Sequence, residues 1–287
     1  MEPLSCESLK MSGNLSPVFQ VFEQQFAEAK SLFLELGKQI KSKKAIPLSV
    51  KMSFLEIYTD LLAKIHYTKE GLNFDIFSDF KQLKKNLHKI HHLKLVEKSL
   101  QEQELKSDLT YGGYREFLSY QKKQLYIQTF DMVVGSTLKT WEDFYQKCEK
   151  SSRGIRPLMV NTAINQIIQE ELEYLGLDSK GAMDSTVLRD VFEGLRKIII
   201  FENLLIHLGF NPIFVSSIHT DIEQLKDNLK PWYSNHIALQ SLTGYLAEQQ
   251  EVSKKYLKWA KDLKEEKQRL SIQAERQTKI LFKKILV

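Results

Sequence analysis

The strongest constraint on the fold is that the chain repeats itself. Written without gaps, DFKQLKKNLHKIHHLKLVEKSL from Asp79 and DIEQLKDNLKPWYSNHIALQSL from Asp221 are identical at eight of 22 positions. In the first copy these are Asp79, Gln82, Leu83, Lys84, Asn86, Leu87, Ser99 and Leu100. Upstream, LLAKIHYTKEGLN and LLIHLGFN correspond as well, each an apolar helix end running into a Gly and an Asn. Units related this way are expected to stack on one another and share a core. The repeat predicts an N-terminal tail over 1–17, a first helical lobe over 18–150 and a second over 151–287, with KSSRGIRP as the hinge.

Each unit reads as helix. Only 12 Gly and 6 Pro punctuate 287 residues, so long helices are the simplest way to order the chain. In VFQVFEQQFAEAKSLFLELGKQI, Phe19, Phe22, Phe26, Leu32 and Phe33 fall on one face after the cap-like NLSP. Further helices are expected over about 49–68, closed by Gly71 and Asn73, then over the KKNLHKIHH segment, 115–149, 158–175, 185–208 and 219–229. A last one should run from Ser234 nearly to the end. The fold class is therefore all-α, two repeated antiparallel helical bundles related by a pseudo-twofold.

Composition narrows the function classes. With 43% hydrophobic and 27% charged residues the chain can bury a substantial core. A net charge of +5 steers anions toward it without choosing one. Cys6 and Cys148 are too few for a disulfide framework and have no C-x-x-C spacing, which suits a reducing compartment. MEPLSCESLKM has no basic region followed by an apolar one, and IIIFENLLIHLGF is too short and too polar to span a bilayer. A cytoplasmic location without a membrane span is expected. No nucleotide-binding, zinc-protease or hydrolase motif is present, and nothing argues for catalysis or a cofactor. The basic last helix has no spacing that would give a specific nucleic-acid reading, and Tyr256, Trp259 and Leu263 should place it in a core groove.

The helix from Lys81 carries the chemistry. Six Lys and three His lie between 81 and 98, against the single Glu97. Lys81, Lys85, His88 and His92 form one narrow stripe with Lys84 and His91 on its edge. Such a stripe suits a polyanion, because several cations can meet successive phosphates and histidine can gain charge beside them. It also suits a plain solvated face. His88 and His92, one turn apart, are too few for zinc without further ligands, so no metal is assigned. The apolar face changes phase near His91, from Phe80, Leu83, Leu87 and Ile90 to Leu93, Val96 and Leu100, and Pro231 aligns with Lys89. Both copies are thus expected to kink at the same point.

Three stretches carry a resemblance to a known family. They are DFKQLKKNLHKIHHLKLVEKSL, then STVLRDVFEGLRKIIIFENLL with Leu-Arg pairs at 188–189 and 195–196, and LKDNLKPWYSNHIALQSL followed by a basic last helix. Together they resemble the conserved histidine α-helical domain, or CHAD, family, whose members bind inorganic polyphosphate in a basic channel between two helical bundles. Where that family has its namesake histidine this chain has Thr186, and Val191, Phe192, Glu193 and Gly194 stand between the two arginines. The resemblance implies a non-catalytic module for inorganic polyphosphate or a similar polyanion, held by Lys81, Lys84, Lys85, His88, His92, Arg189, Arg196, Lys226 and Lys230. The alternative is a CHAD-like scaffold that has lost the anion and binds a protein partner.

Overall fold

A computed structural model describes residues 16–70, 75–178 and 183–285. These residues form nine α-helices and one short 3-10 turn, with no strand among them. The helices are α1 (Pro17–Leu36), α2 (Ser42–Glu70), α3 (Lys81–Ser107), α4 (Gly112–Gly135), α5 (Leu138–Ser152), α6 (Pro157–Asp178), α7 (Ser185–His207), α8 (Ser216–Ala247) and α9 (Lys254–Ile285). Cys6 and the expected stop at Gly71 and Asn73 lie outside the described residues.

Local chemistry sets most of the helix ends. Ser16 caps α1 by accepting from the Phe19 N–H, with Pro17 at the first helical position, where its missing donor costs nothing. Asp184 caps α7 by accepting from the Thr186 and Val187 N–H groups. At the other end of α7, Gly209 takes φ 80°, and the Phe210 N–H closes back on the Leu205 carbonyl. The hinge segment falls between α5 and α6, with Gly154 at φ 73° and Pro157 opening α6.

Several boundaries differ from the sequence expectation. α2 begins at Ser42, ahead of the expected start near 49, and includes Pro47, and α8 runs unbroken through Pro231. Both prolines are exposed, so the carbonyl each leaves without its helical donor need not be desolvated. The helix expected over 115–149 is two helices, because Ser136 turns to an extended conformation directly after Gly135. The long last helix is likewise divided, between Ala247 and Lys254.

Five helices close a ring: α2 packs on α3, α3 on α8, α8 on α7, α7 on α6, and α6 back on α2. Inside lies the larger of two cores. Its aromatic end joins α1, α2 and α5 through Phe22, Phe26, Tyr58, Trp141 and Phe144. The smaller core is a four-helix cluster of Val96 and Leu100 from α3, Tyr114 and Leu118 from α4, Ala238, Leu242 and Tyr245 from α8, and Tyr256, Trp259 and Leu263 from α9. Both cores draw on residues from before and after residue 150.

These two cores explain the change of phase in α3. Leu83, Leu87 and Ile90 face the larger core, while Val96 and Leu100 face the smaller one, and α3 remains one helix throughout. The stripe rotates where the helix changes neighbours. In α8, Leu225, Leu229 and Trp232 give way to Ala238 and Leu242 in the same manner.

Glu202 is fully buried in the apolar run of α7. Its carboxylate accepts from the Ile213 N–H at 2.6 Å and bonds His219 Nδ1 at 3.2 Å, tying the α7–α8 loop to the core. Glu202→Ala leaves a backbone donor and a half-buried imidazole without their partner. Urea unfolding should show a loss of about 3 kcal/mol, and a loss below ~1 kcal/mol would mean the loop is held by other contacts.

Candidate functional site

The histidines of α3 sit where α3 crosses α8, between the two cores. His88 Nε2 lies 3.1 Å and His92 Nε2 2.7 Å from the Tyr233 hydroxyl of α8. A phenol has one proton to donate and lone pairs with which to accept, so the hydroxyl satisfies both rings when one imidazole accepts and the other donates. The two rings meet edge to face with centroids 4.3 Å apart, and His91 lies 6.4 Å from His88. Tyr233 in turn packs on Phe192 of α7 at 4.9 Å.

Helix α7 supplies the charge around this crossing. Arg196 forks onto both Glu193 oxygens, at 2.9 and 3.2 Å, and lies over the Phe192 ring. Arg189 pairs with its neighbour Asp190 at 3.3 Å. Gly194 lies against α6, and a Cβ there would come within 2.7 Å of Leu175 and 2.8 Å of Glu171. The close approach of α6 leaves no room for a basic side chain at that position. Asn203 and His207, on the same line of α7, are exposed.

All three histidines are held neutral. Burial lowers the His88 and His91 pKa values, with Arg196 lowering both further and Glu193 opposing it. His92 is pushed down to about 3 by burial and by the neighbouring imidazoles. His236 of α8, stacked on Trp232, falls to about 4 through burial, Lys267 and Arg189. Burial raises the Tyr233 phenol to about 12, aided by the Glu193 carboxylate. The sequence reading, in which these histidines gain charge beside an anion, took them for an open face. The crossing with α8 desolvates them.

The structure brings His88, His92, Arg189 and Arg196 to this crossing and takes the lysines elsewhere. Lys81 pairs with Asp75 and Lys84 with Glu56 of α2. Lys226 and Lys230 share Asp227, at 3.4 and 2.8 Å, and Lys230 lines a different groove, between α3, α8 and α9. Among the described residues, Lys85 alone of the predicted lysines is exposed with no carboxylate partner. Among the described residues, no group of three or more His, Cys, Asp or Glu side chains is placed to hold a metal ion, and the Tyr233 hydroxyl occupies the point on which His88 and His92 converge.

A second feature opens beside the crossing. α3, α4 and α8 wall a groove of about 580 Å³. Leu93, Val96, Leu125 and Ile237 supply its apolar part, and His92 and Lys89 mark the end nearest the crossing. Gln121, Gln124 and Gln128 of α4 and Gln240 of α8 line its sides, exposed and without a hydrogen-bond partner among the described residues. Sequence reasoning missed these residues. The signal was the QKKQLYIQ segment, whose glutamines recur at helical spacing. Tyr233 was also missed, although it aligns with His91 in the repeat.

The chain matches no known family, no characterised protein and no solved structure.

The crossing makes stability depend on pH with a definite sign. The unfolded chain protonates its histidines below about pH 6.5, while the folded one keeps His88, His91, His92 and His236 neutral. Stability is therefore complete above that pH and is lost as pH falls toward the folded values. At pH 5 the His92 share alone is about 2 kcal/mol. In His92→Gln, whose amide can still reach Tyr233, urea midpoints measured from pH 7.5 to 5 should fall less steeply than in the wild type. Parallel profiles would show that His92 does not govern the response.

Proposed function

We propose that the protein is a non-catalytic helical scaffold that receives a polypeptide segment in the groove between α3, α4 and α8. The observation that carries this reading is the pairing of an apolar floor with four unbonded carboxamides. Each Gln amide offers both a donor and an acceptor, which matches the alternating donors and acceptors of a peptide backbone. Leu93, Val96, Leu125 and Ile237 would supply the burial that such contacts need for affinity. The rim glutamines are neutral, so charge alone would not choose the partner.

A CHAD-like repeat remains part of the proposal. Aligned positions of the two copies share their surroundings: Leu83 with Leu225, Leu87 with Leu229 and Ile90 with Trp232 in the larger core, Val96 with Ala238 and Leu100 with Leu242 in the smaller. That correspondence supports descent of α3 and α8 from one unit.

Polyphosphate is the second reading. In its favour, Lys85, Lys89 and Lys94 of α3 and Lys123 of α4 have no carboxylate partner among the described residues. Against it, Lys81, Lys84 and Arg196 are each paired with an acid of this chain, and Lys226 and Lys230 share the one carboxylate of Asp227. A polyanion would have to displace those carboxylates, each displacement giving back part of the gain.

Gly244 gives a clean test, because it lines the groove and a side chain added there meets nothing within 4 Å. Random peptides displayed on phage, selected on the wild-type protein, should yield binders that lose affinity at least about tenfold on Gly244→Trp. Binders indifferent to that substitution, or no enrichment, would remove the groove from the proposal. Titration with long-chain polyphosphate at low salt separates the second reading. Micromolar binding lost in a Lys85→Ala, Lys89→Ala variant and unchanged in Gly244→Trp would favour the anion.

A further inference from the structure

The outward face of α4 carries an apolar line that is exposed among the described residues. Tyr120, Ile127, Phe130 and Val134 are 64%, 46%, 37% and 60% exposed. They follow the three-and-four spacing of a helix seam, on the side of α4 turned away from Leu118 and Leu125, which face the interior. α4 packs chiefly on α3, with Tyr114 also seated on Tyr245 of α8 and Trp259 of α9, on the side opposite this line. Isolated exposed apolar residues are ordinary; four aligned along one helix face, with charges set between them, are the pattern of a helix seam.

The charges within the line identify the occupant. Lys123 lies one turn of about four residues before Ile127 and Asp131 the same distance after it, on the same face. Neither has an ion-pair partner among the described residues. Tyr120 and Val134 stand two turns before and two turns after the same Ile127. This arrangement is self-complementary under a two-fold axis. With a second copy of α4 laid antiparallel about Ile127, Lys123 of each chain faces Asp131 of the other, Tyr120 faces Val134, and the two Ile127 side chains meet at the axis. A parallel arrangement sets Lys123 against Lys123 and Asp131 against Asp131, which repels.

We propose that the protein forms a two-fold homodimer through the outer face of α4, with its Lys123–Asp131 pairs made between chains. The groove opens along a neighbouring flank of α4, with Tyr120 common to both surfaces.

Sedimentation equilibrium over a range of protein concentrations tests the assembly. The wild-type chain should reach twice the monomer mass. Ile127→Asp should raise the dimer dissociation constant at least about 100-fold, because the axis uses each substitution twice. Ile127 is exposed, so the variant should keep the helical circular dichroism and melting temperature of the wild type. Lys123→Glu and Asp131→Lys should each weaken the dimer, and the two together should restore it. A wild-type monomer at about 100 µM, a dimer indifferent to Ile127→Asp, or a double swap no stronger than either single reversal would each overturn the proposal.

Discussion

The α3–α8 crossing is the joint on which both cores depend. Each of these helices begins in the larger core and ends in the smaller one, so their relative angle fixes how the two cores meet. Apolar packing lines the crossing on either side, and at its centre two imidazoles converge on one phenol. Such directional bonds specify register in a way that interchangeable aliphatic contacts do not. They also require the histidines to be neutral, because charged rings 4.3 Å apart repel in a partly desolvated site beside Arg196. The arrangement that fixes the joint at neutral pH is therefore the one that acid weakens.

The same joint determines what the basic residues can do. A stripe of lysine and histidine on an isolated helix is a plausible polyanion track, and α3 has that stripe. Packing divides it. Acids on α2 and in the segment before α3 take Lys84 and Lys81, α8 takes His88 and His92, and Lys85, Lys89 and Lys94 are left facing water. The most strongly coupled cation of α7, Arg196, is held by Glu193 and by the face of Phe192. Residual positive charge is thus spread along an edge rather than focused in a channel, which suits weak, salt-sensitive attraction more than a defined phosphate site.

Much of the fold was legible in the sequence, and the failures have physical causes. The helical class, the cap at Ser16, the buried α7 and the placement of Tyr256, Trp259 and Leu263 in a core followed from periodicity and caps. The helix end expected before Pro231 is absent because a proline on a solvent-facing surface breaks a hydrogen bond without ending the helix. The phase change at His91 is where α3 passes from the larger core to the smaller, a change of neighbour that a single-helix wheel does not contain. Of the site, the spacing of His88 and His92 on one face of α3 was legible, and their partner Tyr233 was not. The acids that neutralise Lys81, Lys84 and Arg196 come partly from other segments, and a stripe drawn on one helix does not contain them.

Helix α4 carries both the groove and the apolar line, and the smaller core fixes where it lies. Its inner side contributes Tyr114, Leu118 and Leu125 to packing, while the groove lies along one flank and the apolar line along the outer face. Tyr114 anchors the amino-terminal half: its hydroxyl donates to Ser241 of α8 at 2.8 Å, its N–H donates to the Tyr256 hydroxyl, and its ring packs on Trp259 of α9. Directional bonds to two different helices set both the position and the rotation of α4, and so set which of its residues face the groove and which face outward. At the amino-terminal end of α4 a Cβ on Gly113 would come within 2.7 Å of the Tyr245 hydroxyl, so that end is clamped by close packing, whereas Gly135 at the other end has open space where a side chain would be.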